Sequence, residues 1–143
     1  AIQARVSGAF EPLTEIEGIR ATLIELGHRY LRLITDPTVS ALFRVVVHEA
    51  PHFPEIGEMF NEAGPKPAKQ RLADYFEQGI EQGKLEIPDI PMAVEQFLMM
   101  CQARIVQDFW FCIRGAPTEA EIDKAVGAAV STFLAAYATD RCD

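Results

Sequence analysis

One apolar stretch, Met92 to Ile113, constrains the fold of this chain more than any other. It holds 22 residues, and only six of them are polar. Placed on a helix at about 100° per residue, those six fall in three separate sectors and form no common stripe. A helix without a single polar face is buried on most sides. The pattern therefore predicts one central helix, about 33 Å long, which the rest of the chain has to cover.

Five further helices are predicted around the central one. Two capping-box spacings, Thr14 with Glu17 and Thr118 with Glu121, mark helix starts, because such a pair satisfies two free backbone N–H groups. Proline and glycine mark most other ends. The run Val45–Val47 is interpreted as helix, since no second strand candidate exists to pair with it. The chain is thus an all-α domain of about six helices, spanning about residues 14–35, 38–50, 54–64, 66–82, 92–113 and 119–138, with an extended segment at 84–91.

Length, charge and cysteine content argue against DNA binding by this segment itself and against a membrane protein. A length of 143 residues suits one domain. The net charge is −8, and 13 basic against 21 acidic residues offer no basic patch with which this segment itself would grip DNA. Charged residues interrupt the 92–113 stretch near both ends and in the middle, which argues against a membrane span. The three cysteines are an odd number, lie far apart and follow no secretory signal, so we expect reduced thiols in a cytoplasmic protein.

The position of each cysteine and of the chain start carries a further expectation. Cys101 and Cys112 are predicted to be small core residues, and Cys142 to be exposed. The sequence starts at Ala1 without an initiator Met, so we expect a fragment of a longer protein. Ala1 to Ser7 is then the tail of a helix that began upstream, interrupted by Gly8 and Pro12.

His48, Glu49 and His52 match the H-E-x-x-H motif of zinc proteases. The motif needs two histidines on one helical face, with the glutamate beside the metal-bound water. Pro51 stands between the histidines and disfavours helical geometry at Ala50, so the imidazoles need not converge. A helix end with a polar rim is the favoured interpretation; a stand-alone helical metal-dependent enzyme that uses these residues or Arg104 stays as the alternative.

Arg104 is the most informative single residue of the central stretch. A buried guanidinium needs a partner, and Asp108, another carboxylate, or an anionic or polar ligand would supply one. Met99 and Met100 suit a core and also an adaptable pocket between helices. Helix faces select the ligand-binding candidates Phe43, Phe60, Tyr75, Phe76, Met99, Met100, Ala103, Arg104 and Gln107.

A series of short motifs in order resembles the regulatory domain of TetR/AcrR-type transcriptional regulators. The match runs from about residue 13 to the end of the chain. It is carried by Leu42-Phe43-Arg44, Glu49 through Glu55, Phe60, Ala63-Gly64-Pro65, Gly83-Lys84-Leu85, Ile87, Asp89, Ala93, Glu95-Gln96-Phe97, Pro117-Thr118, Ile122, Ala125-Val126 and Phe133-Leu134. Inside this family pattern the His48, Glu49 and His52 match looks coincidental.

The resemblance implies more than the residues show. It implies a C-terminal ligand-binding and dimerisation domain at 13–143, with 1–12 as the remnant of a connector helix and linker and the helix-turn-helix domain absent. It implies a homodimer whose last two helices form an intersubunit four-helix bundle. A small apolar or amphipathic effector in the helical core would control DNA binding, usually repression, with no enzymatic activity, no metal and no cofactor. A purely structural dimerisation domain is the second alternative.

The dimer interface predicted for this family architecture lies on the last two helices. Small residues there, Gly127, Ala128 and Ala129, would let helices approach closely. The candidate interface residues are Phe109, Trp110, Ile113, Val126, Val130, Phe133 and Leu134.

Overall fold

The computed structural model describes residues 2–140, and within that range it is built of eight helices without a strand. The all-α class predicted from the sequence is confirmed. No helix in this range is long and apolar enough to cross a lipid bilayer. The helices are α1 Ile2–Ala9, α2 Ile19–Ile34, α3 Pro37–Glu49, α4 Pro54–Ala63, α5 Pro65–Glu81, α6 Ile90–Cys101, α7 Val106–Trp110 and α8 Glu119–Tyr137.

Local signals explain most helix ends. Asp36 caps α3, its carboxylate accepting from the backbone N–H groups of Thr38 and Val39 at 3.0 and 3.1 Å. The predicted capping box of α8 is present: Thr118 Oγ1 accepts from Glu121 N, and Glu121 Oε1 accepts from Thr118 N. The three valines at 45–47 are helical, as predicted.

The helix predicted over 14–35 corresponds to α2, and its predicted start at Thr14 is wrong. The helix begins at Ile19, after Gly18, whose φ of 66° lies in the left-handed region. That conformation suits glycine, which has no Cβ. It interrupts the predicted helix at Gly18, although the helical spacing of apolar residues continues on both sides of this glycine. Ile16 is nevertheless buried, so it contributes to the core from a turn and explains why the apolar spacing extended upstream.

The single central helix predicted over 92–113 is also wrong. α6 ends at Cys101, and α7 starts at Val106 after a turn in which Arg104 has a φ of 70°. Arg104 is exposed, not buried. Cys112, predicted in the core, is exposed because the chain turns again after α7, with a φ of 60° at Cys112 itself. Cys142 lies outside the described residues.

The main core lies between α2, α5, α6 and α8. Phe133 of α8 stacks on Phe76 of α5 at 4.8 Å between ring centroids and meets the edge of Phe97 of α6 at 5.5 Å. Gly27 lets α2 approach α8 closely, since a Cβ there would stand 2.6 Å from a methyl of Val126. Apolar burial of this kind is the main stabilising term, and α3 and α4 contribute no residue to this core cluster.

The extended segment after α5 is hydrogen-bonded to the C-terminal end of α8. Glu86 N donates to the carbonyl of Tyr137 at 2.8 Å, and Thr139 N donates to the carbonyl of Lys84 at 3.0 Å. These bonds form a short antiparallel bridge between Leu85 and Ala138. The segment is extended as its two prolines predicted.

Candidate functional site: an apolar cavity beside the first helix

A cavity of about 240 Å³ lies beside the main core, and each helix from α1 to α7 contributes to its wall. Its volume is close to the lower end of drug-sized ligand pockets, about 300 Å³, and above the roughly 150 Å³ of a cavity that holds benzene. Most of the side chains around it are apolar. They are Ile2, Val6, Phe10, Tyr30, Leu33, Ile34, Val39, Phe43, Phe60, Gly64, Pro65, Ala68, Lys69, Glu95, Leu98, Met99, Gln102 and Trp110.

Aromatic rings form much of the cavity wall. Phe43 stacks on Trp110 with ring centroids 4.9 Å apart and planes 20° from parallel, and Phe60 lies 6.3 Å from Phe43. Phe10 meets Tyr30 edge to face at 6.4 Å. Such contacts add about 0.5–1.5 kcal/mol each beyond simple burial. The rings therefore hold the wall in place without filling the space it encloses.

The polar contact that stands out in the cavity wall joins α2 to the end of α6. Gln102 Nε2 donates to the hydroxyl oxygen of Tyr30 at 2.7 Å. Burial raises the pKa of Tyr30 to about 12, and the hydrogen bond from Gln102 offsets this only in part. The phenol is therefore protonated throughout the physiological range and keeps its own O–H as a donor.

The charged side chains of the cavity wall, Lys69 and Glu95, neutralise each other. Their Nζ and Oε1 atoms are 2.6 Å apart, and both side chains are partly exposed. They join α5 to α6 at the rim. An ion pair so exposed contributes little to stability, but it leaves the cavity without an unpaired charge.

The indole N–H of Trp110 is enclosed and has no hydrogen-bond partner among the described residues. A buried donor without a partner costs about 1–3 kcal/mol. Arg44 lies close to this region, with its guanidinium 3.5 Å from the carbonyl of Phe109 and 3.6 Å from Cys112 Sγ. α7 is thus held against α3 while its tryptophan keeps an unsatisfied group.

Basic side chains fasten α1 to the rest of the domain. Arg5 pairs with Asp36 at 2.7 Å, which joins α1 to the start of α3. Arg29 donates to the carbonyl of Gly8 at 3.1 Å, and Arg71 to that of Ser7 at 3.3 Å. The C-terminal carbonyls of a helix lack partners within the helix, so these arginines from α2 and α5 satisfy them. The end of α1 is thereby fixed directly over the cavity.

The structure brings three of the nine predicted ligand-binding residues together at the cavity: Phe43, Phe60 and Met99. Tyr75 and Phe76 lie in the main core, where the Tyr75 hydroxyl donates to the carbonyl of Glu15. Met100, on α6, packs against the core. Ala103, Arg104 and Gln107 follow the end of α6, where the chain turns, and they face solvent.

The predicted dimer residues fall into three groups by their burial within this chain. Val126, Val130, Phe133 and Leu134 are buried against other helices of their own chain, so a partner subunit has no access to them. The predicted interface is corrected accordingly, because this face of α8 is already used by α2 and α6. Phe109 and Trp110 are half-buried, and Trp110 lines the cavity. Ile113 is 70% exposed.

Sequence reasoning missed the Tyr30–Gln102 pair and the contribution of α1. A signal for Gln102 was present: it is one of six polar residues in the 92–113 stretch, and a polar group enclosed among apolar ones needs a partner. Tyr30 stood in the periodic apolar pattern of α2 and looked like an ordinary core residue. Nothing local in Ile2, Val6 or Phe10 predicts that α1 folds back over the cavity.

The structure places the H-E-x-x-H residues apart from any cluster of potential metal ligands. α3 ends at Glu49, and the His48 side chain is 81% exposed. Within residues 2–140, the group of three side chains that would reach one ion is His28, Glu119 and Asp123. Glu119 there is already paired with Arg32, and His28 Nε2 contacts Asp123 at 2.8 Å, so this cluster reads as a polar contact between α2 and α8.

Three solved structures share the fold. A TetR-family regulator from Mesorhizobium loti superposes with a TM-score of 0.84 at 21% identity, over 96% of this chain and 68% of that one. The Flavonoid-responsive Regulator FrrA gives 0.80 at 23%, over 97% and 72%. A TetR-family regulator from Pseudomonas syringae pv. tomato gives 0.71 at 21%, over 96% and 68%. No curated protein sequence matches this chain.

The family itself follows from the sequence. A family model described as the C-terminal domain of AefR-like transcriptional repressors matches residues 21–139, which is most of the chain and includes nearly all of α2 and every helix from α3 to α8. The chain belongs to this family of C-terminal regulatory domains, within the TetR-type transcriptional regulators.

Proposed function

We propose that this domain senses a small, mostly apolar effector in the cavity and uses its occupancy to control DNA binding by an N-terminal domain of the same protein. The observation that carries the proposal is the cavity of about 240 Å³, because a purely structural dimerisation domain has no need of an unfilled space lined by aromatic rings. The name of FrrA gives a precedent for a small-molecule response within this fold.

The position of α1 suggests how occupancy reaches the DNA-binding domain. Ile2, Val6 and Phe10 contribute one wall of the cavity, and we propose that residues 1–12 are the end of the connector to the helix-turn-helix domain. An effector changes an equilibrium only through different affinities for the two states. A molecule in contact with α1 satisfies this condition directly, since any tilt of α1 changes the cavity wall.

A cavity-filling substitution tests the proposal. Ala68 is buried in the wall, and Ala68→Phe would occupy the space an effector needs. Naphthalene and 1-octanol serve as uncharged probes in thermal melts. We expect at least one to stabilise the wild-type chain by about 1.4 kcal/mol at ten times its dissociation constant, and Ala68→Phe to abolish this stabilisation.

The control adds the same ring elsewhere. Ala41→Phe lies at an exposed position of α3 and should keep the probe-induced shift, and Ala68→Leu is a milder filling variant if the phenylalanine disturbs folding. An unchanged shift in both filled variants, or no shift from either probe in the wild type, would contradict the sensing function.

We further propose that the domain forms a homodimer through the outer face of α8 and the segment that precedes it. The exposed residues of α8 include Ala128, Ser131 and Ala135, which are small enough for a second helix to approach closely. Phe111 and Ile113 expose 64% and 70% of their surface just before α8. Exposed apolar side chains of this size are typical of an interaction surface.

Sedimentation velocity tests the dimer. We expect the wild-type chain to sediment as a dimer at micromolar concentration. Ala135→Arg should shift it to monomer, because a guanidinium cannot be accommodated between closely packed helices. Ala41→Arg, on exposed α3, is the matched control and should remain dimeric; a monomeric wild type would refute the proposal.

The parent protein is proposed to act in the cytoplasm as a repressor, with DNA contacts made through the N-terminal domain and not through this acidic segment. An effector that stabilises this domain should weaken operator binding by the full-length protein. An electrophoretic mobility assay with and without effector measures this, and tighter binding on effector addition would indicate activation instead.

A further inference from the structure

The cavity wall has an aromatic part and a few polar side chains, and their arrangement determines which kind of effector fits. Phe10, Phe43, Phe60 and Trp110 supply aromatic surface, to which planar rings bind well. The space exceeds the roughly 150 Å³ that suffices for benzene and is too small for a large drug-like molecule. An effector of one or two aromatic rings fits both the shape and the surface.

Apart from the enclosed, unpaired indole N–H of Trp110 and the paired Lys69 and Glu95, the polar side chains of the wall are Tyr30 and Gln102, which lie together. Gln102 uses Nε2 to donate to Tyr30, and no other hydrogen bond of the described residues involves either side chain. The phenolic hydrogen of Tyr30 is therefore free to donate, and Oε1 of Gln102 is free to accept. A donor and an acceptor side by side complement one group that both accepts and donates, namely a hydroxyl.

The charge state of the wall opposes an anionic effector. The charged residues there, Lys69 and Glu95, are paired at 2.6 Å. A carboxylate would have to separate them or enter the apolar interior without a counter-charge, which is costly. Tyr30, whose pKa is raised to about 12, does not become a charged partner either.

From these features we propose that the effector is an uncharged aromatic molecule with a hydroxyl group, which accepts from Tyr30 Oη and donates to Gln102 Oε1. The proposal rests on the sensing function above and specifies its ligand class. The aromatic part lies among Phe43, Phe60 and Trp110, and the hydroxyl lies at the junction of α2 and α6.

Calorimetric titration with four related compounds tests the ligand class. 2-Naphthol carries donor and acceptor, 2-methoxynaphthalene only an acceptor, naphthalene neither, and 2-naphthoate a negative charge. We expect 2-naphthol to bind about tenfold tighter than naphthalene, as two hydrogen bonds of ordinary net strength allow. The methoxy compound should fall between them, and 2-naphthoate should bind weakest.

Tyrosine variants locate the hydroxyl site. Tyr30→Phe keeps the ring and removes one of the two hydrogen bonds, so it should reduce the tenfold preference for 2-naphthol to about threefold. Tyr137→Phe is the matched control, because Tyr137 also pairs with a glutamine, Gln96, but does not line the cavity; it should leave the preference unchanged. Gln102→Met is a second variant at the site, should Tyr30→Phe fold poorly.

Three outcomes would overturn this inference. They are equal binding of naphthalene and 2-naphthol, an unchanged preference in both Tyr30→Phe and Gln102→Met, and tightest binding of 2-naphthoate. A chain that binds 1-octanol in the melting test but none of the four aromatic compounds refutes the ligand class and leaves the sensing function standing. An unchanged response to the probes in both filled variants, Ala68→Phe and Ala68→Leu, refutes the sensing function itself.

Discussion

Glu121 shows how one side chain combines local and longer contacts. Its carboxylate accepts from both terminal nitrogens of Arg114 at 2.6 Å and from the backbone N–H of Thr118 at 2.9 Å. The hydrogen bonds from Arg114, followed by that from Thr118, lower the pKa of Glu121 to about 2. Glu121 thus completes the capping box at the start of α8 and, through Arg114, holds the segment between α7 and α8 in place.

The lowered pKa predicts a pH-dependent loss of stability. Because the folded-state pKa lies below the ordinary value of 4.5, the contribution of Glu121 is complete above about pH 5 and disappears as the pH falls towards 2. Glu121→Gln lacks an ionisable group there. The difference in Tm between wild type and Glu121→Gln should therefore shrink between pH 5 and pH 2; a constant difference would show that the ionised carboxylate is unimportant.

Gly27 provides a second prediction at the residue scale. Its α-helix packs so closely on α8 that a Cβ would lie 2.6 Å from Val126 Cγ1. Gly27→Ala should destabilise the domain by about 1–3 kcal/mol through overpacking. Gly57→Ala, where the added Cβ meets only an ordinary contact at 3.6 Å, should be neutral or stabilising by up to about 1 kcal/mol. Urea denaturation of both variants measures the contrast.

At the scale of elements, the break between α6 and α7 decides what the 92–113 stretch does. α6 alone has a regular buried stripe, which includes Ala93, Val94, Phe97, Leu98 and Cys101. The turn at 102–105 resets the helical phase, so the polar residues of α6 and α7 fall in unrelated sectors. The polar residues of the 92–113 stretch therefore look scattered around one helix buried on most sides. They in fact belong to two helices and the turn between them.

The turn itself is open to test at Arg104. A non-glycine residue at a φ of 70° carries a steric cost of about 1 kcal/mol. Arg104→Gly should therefore stabilise the folded chain by about 0.5–1 kcal/mol relative to Arg104→Ala, which keeps the Cβ in the same conformation. Thermal melts followed by circular dichroism give the difference. The opposite order would indicate that 102–105 is helical in solution.

At the scale of the whole molecule, α1 closes the cavity and is held mainly by Phe10. Phe10 is buried against Tyr30 of α2, while the ion pair of Arg5 with Asp36 is exposed and weak. The docking of α1 on the rest of the domain therefore depends on one aromatic anchor and a few hydrogen bonds. This arrangement fits the sensing function proposed above, in which α1 responds to the contents of the cavity.

Removal of the anchor should be costly. Phe10→Ala is expected to destabilise the chain by about 3–5 kcal/mol, as for other buried phenylalanines. Phe53→Ala is the control: this ring is half exposed before α4, and its loss should change stability by less than about 1 kcal/mol. Equal effects in urea denaturation would mean that α1 is not docked as described.

The sequence by itself determined the fold class, the family and most helix ends, because these depend on local signals: prolines, the Asp36 and Thr118 caps, and apolar periodicity. Three of nine candidate ligand residues also proved to line one cavity. Tertiary structure alone decided that Arg104 turns the chain, that Val126 and Phe133 face inward, and that α1 covers the cavity. Each of these depends on which face of a helix packs against which neighbouring helix. Such contacts join residues far apart in sequence, so the local spacing of apolar and polar residues does not predict them.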